Sequence, residues 1–182
     1  MPSSVFPVDQ YKFSGKELLL FDANVWLFIF GPQYSRTDAR VKRYSLGLKN
    51  ILTAKASVFI DVLIISEFIN SWARFAYNII PADQKPQDFK VFRKSPLFQT
   101  VAQDIAATTR KIMCFCNRTD SGFGALDMDS LLNDFETGKK DFNDQVLEDL
   151  CARRGFYLVT DDADFKAVKL TLFTANSRLL NP

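Results

Sequence analysis

At 182 residues, 47% of them hydrophobic, the chain fits one domain spanning 1–182 with a sizeable core, and its 18 Phe make that core aromatic. Its 23 basic and 21 acidic residues leave a net charge of only +2, too little to argue for nucleic-acid binding by bulk charge, so any such claim falls to local patches. Histidine is absent, which excludes Ser-His-Asp and Cys-His catalysis and most zinc chemistry; an enzyme here works with carboxylates, Lys, Tyr, hydroxyls or an oxygen-ligated metal.

The opening stretch "MPSSVFPVDQYKF" lacks the basic and then apolar regions of a signal peptide. Leu18–Phe21 is a continuous apolar run of strand length. Asp22 and Asn24 interrupt the apolar stretch that follows, so 18–30 is too short and too polar for a membrane span, and the expectation is a soluble, cytoplasmic protein. Past Asp22 the pattern predicts a mostly buried helix ended by Gly31-Pro32. Val41, Tyr44, Leu48, Ile51 and Leu52 fall at helical spacing within 37–54, and "ASVFI" at 56–60 reads as a second strand. Asp61 is a plausible N-cap for a helix running to Pro81.

Residues 81–96, with three prolines and four basic residues, are the most loop-like segment and are expected to be a Pro-rich basic insertion. A helix is predicted from Leu97 to about Cys116. "RTDSGFGALDM" is irregular or holds a short strand, and "DSLLNDFETG" is a helix closed by Gly138. "DFNDQVLEDLCARRG" is another helix, closed by Gly155, with Arg153 and Arg154 well placed in its last turn. "FYLVT" at 156–160 is a strand, "DDADFKAVK" a turn with a short helix, and "LTLFT" at 170–174 the last strand. Cys114, Cys116 and Cys151 are too few and too irregular for a disulfide framework and fit a reducing compartment.

Strands alternating with helices imply βαβ units, hence a three-layer α/β/α sandwich around a central parallel sheet of four to five strands. Ligands of such sheets bind outside the carboxyl ends of the strands. Asp22 leaves the first predicted strand at that end; Asp161 and Asp162 follow "FYLVT", with Asp164 two residues on. Glu67 sits in the apolar helix "VLIISEFI" and shares one face with Asn70 and Arg74. Asp144 shares a face with Asp141 and Glu148 on the helix leading to Asp162.

Two carboxylates about 5 Å apart repel by about 3 kcal/mol at an effective dielectric near 20, so convergence implies protonation or a bound cation. Oxygen ligands without His or thiolate select Mg2+ or Mn2+. Taken singly, each acid has a plainer reading. Asp22 then caps a helix, Glu67 is a satisfied buried acid, Asp141 favours a helix N-terminus, and "TDDADF" is a turn with Asx bonds. The basic residues Lys85, Lys90, Arg93 and Lys94 interleave with Phe89 and Phe92, a pattern suited to phosphates and stacked bases. The alternative is a solvated loop with its Phe docked on the core.

"LLLFDANVWL", "FIDVLIISEFINSWAR", "KDFNDQVLEDLCARRGFYLVTDDADF" and "LTLFT" together resemble the PIN-domain nuclease family. The long C-terminal block carries the likeness most strongly, with Asp144, Gly155, Thr160 and Asp162 in the family's relative spacing. The chain is longer than compact VapC-type toxins, the excess lying in 81–96 and the adjoining helix. The resemblance implies a PIN-like fold and a Mg2+- or Mn2+-dependent ribonuclease. Asp22, Glu67, Asp144 and Asp162 are then the catalytic, metal-binding acids and Asp164 an auxiliary one, with Asn24, Asn70 and Thr160 in support. Arg74, Lys85, Lys90, Arg93 and Lys94 are the residues expected to meet RNA. A toxin role with an antitoxin protein as partner, and a homodimer, are further expectations, with no membrane involved. The competing reading is a catalytically silent PIN-like module that binds RNA or a protein.

Overall fold

The computed structural model describes residues 4–138 and 140–181. Residues 1–3, where the stretch read for a signal begins, lie outside the described residues. The elements in chain order are β1 (Ser4–Pro7), β2 (Leu18–Phe21), α1 (Ala23–Phe30), α2 (Ala39–Thr53), β3 (Ser57–Ile60), α3 (Val62–Asn78), α4 (Phe89–Phe92) and α5 (Pro96–Met113). They continue with β4 (Asn117–Arg118), α6 (Met128–Glu136), α7 (Phe142–Arg154), β5 (Tyr157–Val159), β6 (Thr171–Thr174) and α8 (Ser177–Leu180). Short 3-10 turns occupy Phe123–Ala125 and Ala163–Ala167.

The strands form one all-parallel sheet in the order β1-β6-β5-β2-β3-β4. Six strands stand among the described residues where four to five were expected. The additional strands are the edges. β1 is short, ends in Pro7 and pairs only with β6; proline is tolerated there because an edge strand leaves one side of its backbone unpaired. β4 has two residues, too few for any periodicity.

β2 is central, and the sequence shows why: Leu19, Leu20 and Phe21 are completely buried, as a strand covered on both faces requires. Trp26 stacks on Phe21 at 4.8 Å, and Tyr44, Phe68 and Phe173 are buried in the same core, a buried Phe contributing about 1.5–3 kcal/mol. From β2 the chain steps one way, to β3 and β4, and then crosses back to place β5 on the other side. The gap between the carboxyl ends of β2 and β5 is therefore the topological switch point, where a parallel sheet leaves a crevice.

The helix ends follow local chemistry. Asp61 Oδ1 accepts from the Leu63 amide at 2.8 Å and caps α3; Asp141 Oδ1 accepts from Asn143 at 2.8 Å and caps α7. Gly155 closes α7 in the left-handed region at φ +66°. Within 81–96 the described residues form α4, capped by Asp88, and then Pro96 opens α5. Among the described residues no helix is long and apolar enough to cross a membrane.

Candidate active site

Asp22 and Asp162 emerge on either side of the switch point. Phe21 pairs with Val159, the Asp22 amide donates to the Val159 carbonyl at 3.0 Å, and β5 runs on through Thr160 to Asp162. Asp22 occupies the N-cap position of α1, yet its side chain makes no capping hydrogen bond. Instead Asp22 Oδ2 accepts from Asn24 Nδ2 at 2.6 Å and from Thr160 Oγ1 at 2.8 Å. Asn24 Oδ1 accepts from the Asp161 amide at 3.1 Å, and Thr160 Oγ1 from the Asp162 amide at 3.0 Å. Two loops leaving neighbouring strands are thus tied together around one carboxylate that is 4% exposed.

Burial raises the Asp22 carboxyl to about 6; the Thr160 hydrogen bond opposes that rise and the charge of Asp162 adds to it. Glu67, on the first turns of α3, is raised to about 7 by burial and by Asp22, Asp141 and Asp162. Asp144, in the first turn of α7, is likewise raised to about 7 by burial and by Asp22, Asp162, Asp141 and Glu67. Four elements of distant sequence therefore bring carboxylates within electrostatic range of one another. Among the described residues no Lys or Arg comes within ion-pair distance of Asp22, Glu67, Asp144 or Asp162. Nor, among the described residues, is any group of three or more His, Cys, Asp or Glu side chains arranged to hold a metal ion directly.

The other expected residues divide. Asn24 and Thr160 bond Asp22 directly. Asn70 donates to Ser66 Oγ at 3.3 Å, with no hydrogen bond to an acid among the described residues. Asp164 follows Asp162, whose Oδ1 accepts its amide at 2.9 Å, so the Asx turn read from "TDDADF" is present as well. In the basic segment Phe92 is buried, while Phe89 is half-buried, packs edge-on against Tyr77 at 5.8 Å and lines a surface cavity with Lys90, Arg93 and Lys94. Arg74 lies over the Phe89 ring at 5.0 Å and Lys85 over Tyr77 at 4.5 Å. Lys90, Arg93 and Lys94 are exposed.

Sequence reasoning missed two features. Asp141 caps α7, but its charge also acts on Glu67 and Asp144; its shared helix face with Asp144 was the signal. Tyr44 is completely buried and organises the far side of the same edge: its hydroxyl donates to Asp161 Oδ1 at 2.7 Å and accepts from the Ala175 amide at 3.0 Å. Arg40 Nη1 reaches Asp161 Oδ2 at 3.0 Å, so both carboxylate oxygens of Asp161 are engaged, one by Tyr44 and one by Arg40. Beyond it a cavity of about 730 Å3, walled in part by Arg40, Arg43, Asp162, Asp164 and Arg178, adjoins the acids. No feature of the local sequence brings Arg40 and Arg178 together; the approach of α2 to the end of β6 does.

No protein-family model and no curated protein matches the sequence. The fold is similar to that of a chain in the crystal structure of VapBC2 from Rickettsia felis bound to a DNA fragment from their promoter, with a TM-score of 0.56 and 12% identity, over 86% of this chain and 98% of that one. At that identity the likeness is one of fold: an α/β architecture with a parallel sheet, shared with a chain of a VapBC complex.

Proposed function

We propose that this chain is a Mg2+- or Mn2+-dependent endoribonuclease that hydrolyses phosphodiester bonds of single-stranded or structured RNA. One observation carries the reading: at the switch point of a parallel sheet, carboxylates from four elements lie within electrostatic range of one another, with no cation paired to them among the described residues. The donor set is oxygen only, which suits a hard divalent ion; Asp22, Glu67, Asp144 and Asp162 would hold it, with Asp164 beside them. Such an ion supplies a water of lowered pKa and offsets charge on the phosphoryl group. The chain's own residues prepare the place. Thr160 and Asn24 fix Asp22 in one orientation, and the buried walls of β2 and β5 raise the electrostatic worth of every charge near it. The exposed Lys90, Arg93 and Lys94 are proposed to take backbone phosphates, with Arg74 and Lys85 holding the aromatic base of that surface.

By analogy with VapBC2 the reading extends to the toxin of a toxin–antitoxin pair, with an antitoxin protein as partner and a second copy of this chain as a further one. The competing reading is a PIN-like module that binds RNA or protein without turnover. Incubation of single-stranded RNA with the purified protein separates the two. Cleavage with Mn2+ or Mg2+, silenced by chelator and lowered by orders of magnitude in Asp22→Asn and Asp162→Asn, is the expected result. RNA binding without cleavage under either metal establishes the silent module.

A further inference from the structure

A second cavity of about 730 Å3 opens between the end of α1, the N-terminal half of α2, α3 and α5, and shares no lining residue with the acid edge. Its volume is that of a small-molecule site. Its walls are aromatic: Phe28, Phe30, Tyr34 and Trp72, with Tyr34 stacked on Phe28 at 4.0 Å. Its rim is cationic: Arg36, Lys42 and Lys111 are all exposed, and the Lys111 ammonium lies over the Phe30 ring at 4.9 Å. Among the described residues no Asp or Glu lines this cavity, and none of its three cations is in an ion pair. The cavity beside the acids differs in both respects, since Arg40 and Arg43 there are paired with Asp161 and Asp9.

Aromatic walls under an uncompensated positive rim match a planar ring that carries an anion. A nucleotide has both parts, a base to stack and a phosphate to pair. We infer that this cavity holds one nucleotide, its base against the half-buried Tyr34 and Trp72 and its phosphate at Arg36, Lys42 and Lys111. The route to the acids is short. The Arg40 guanidinium lies over Phe28 at 4.6 Å while its Nη1 reaches Asp161 at 3.0 Å, so a single side chain separates the cavity wall from the loop that bears Asp162. A strand seated in the cavity would pass Arg40 to reach the acids. That the nucleotide belongs to an RNA strand rests on the ribonuclease reading; the preference for a nucleotide does not.

The test is a binding titration in chelator, where no turnover occurs, read by the fluorescence of Trp72 against the buried Trp26. The probes are adenosine monophosphate and a six-nucleotide RNA. Quenching by the RNA is expected, weakened roughly tenfold or more in Lys42→Glu/Lys111→Glu, with a flatter salt dependence because fewer counterions are released. Tyr34→Ala should weaken it as well, although it changes no charge; Tyr34→Leu replaces it if the first variant fails to melt cooperatively. The same charge change at the exposed Lys12 and Lys16 should leave binding as in the wild type. Quenching by the monophosphate alone at equal affinity identifies a free nucleotide as the occupant. Unaltered RNA affinity in both the lysine and the tyrosine variants overturns the inference, even if the protein cleaves RNA. Loss of binding in those variants upholds it, even if no metal supports cleavage.

Discussion

Asp22 lies in the core of the molecule, where an unpaired carboxylate is costly, and two neutral donors on one oxygen offset only part of that cost. Thr160→Val removes the hydrogen bond by which the end of β5 holds Asp22. Because that hydrogen bond holds the Asp22 pKa down, its loss should raise the pKa further, and the acid limb of the cleavage pH profile should move to higher pH. Thr160→Ser should restore the limb, which a purely structural role for the methyl group would not predict. Asp22→Asn keeps an acceptor for both donors and removes the charge. A shift of about two units caps the stabilisation near 3 kcal/mol, so the metal-free protein at about pH 8 should melt a few degrees higher. Scanning calorimetry of the two proteins in chelator checks this, and an unchanged or lower melting temperature counts against a strained carboxylate at this position.

At the scale of elements, β2, α1, β3, α3 and α7 were legible because each carries a continuous apolar run or a helical stripe between chemically clear ends. β1 was not, because four residues that include a proline carry no period; it is specified by contacts made far away in sequence. Gly47 is one of these. A Cβ there would stand 2.6 Å from Val8 Cγ2 and 3.0 Å from the Val8 carbonyl oxygen, so α2 approaches the end of β1 as closely as backbone allows. Gly47→Ala should destabilise by about 1–3 kcal/mol, the cost of overpacking, as read by the urea midpoint. Gly155→Ala has open space around it but a φ of +66°, so its cost is the backbone strain alone, about 1–2 kcal/mol. It should lower the urea midpoint and leave cleavage at low temperature intact.

For the whole molecule, the acids were legible because strand and helix order places them at one edge, while the arginine-walled cavity and the aromatic one were not. Those depend on how α2 turns beneath α1 and meets β6, a matter of packing among buried Phe28, Tyr44 and Val41. The edge also sets the pH response. Asp22, Glu67 and Asp144 are all raised above their unfolded values, so the native state binds more protons than the unfolded chain between about pH 4 and pH 7. Their contribution is fully present below that window and lost as pH rises through it. Metal-free protein should therefore melt at a lower temperature near pH 8 than near pH 5, and millimolar Mn2+ should recover the difference at the higher pH by binding the native state.

Titration of Mn2+ into the protein at neutral pH, followed by loss of the free-ion electron paramagnetic resonance signal, reaches the central claim most directly, because it asks of the acids only whether they hold a hard cation. Saturable binding by the wild type, abolished in Asp22→Asn and in Asp162→Asn with both variants folded, is the result this account predicts. Wild-type protein that leaves the free-ion signal unchanged up to millimolar Mn2+, or variants that bind as it does, would contradict it.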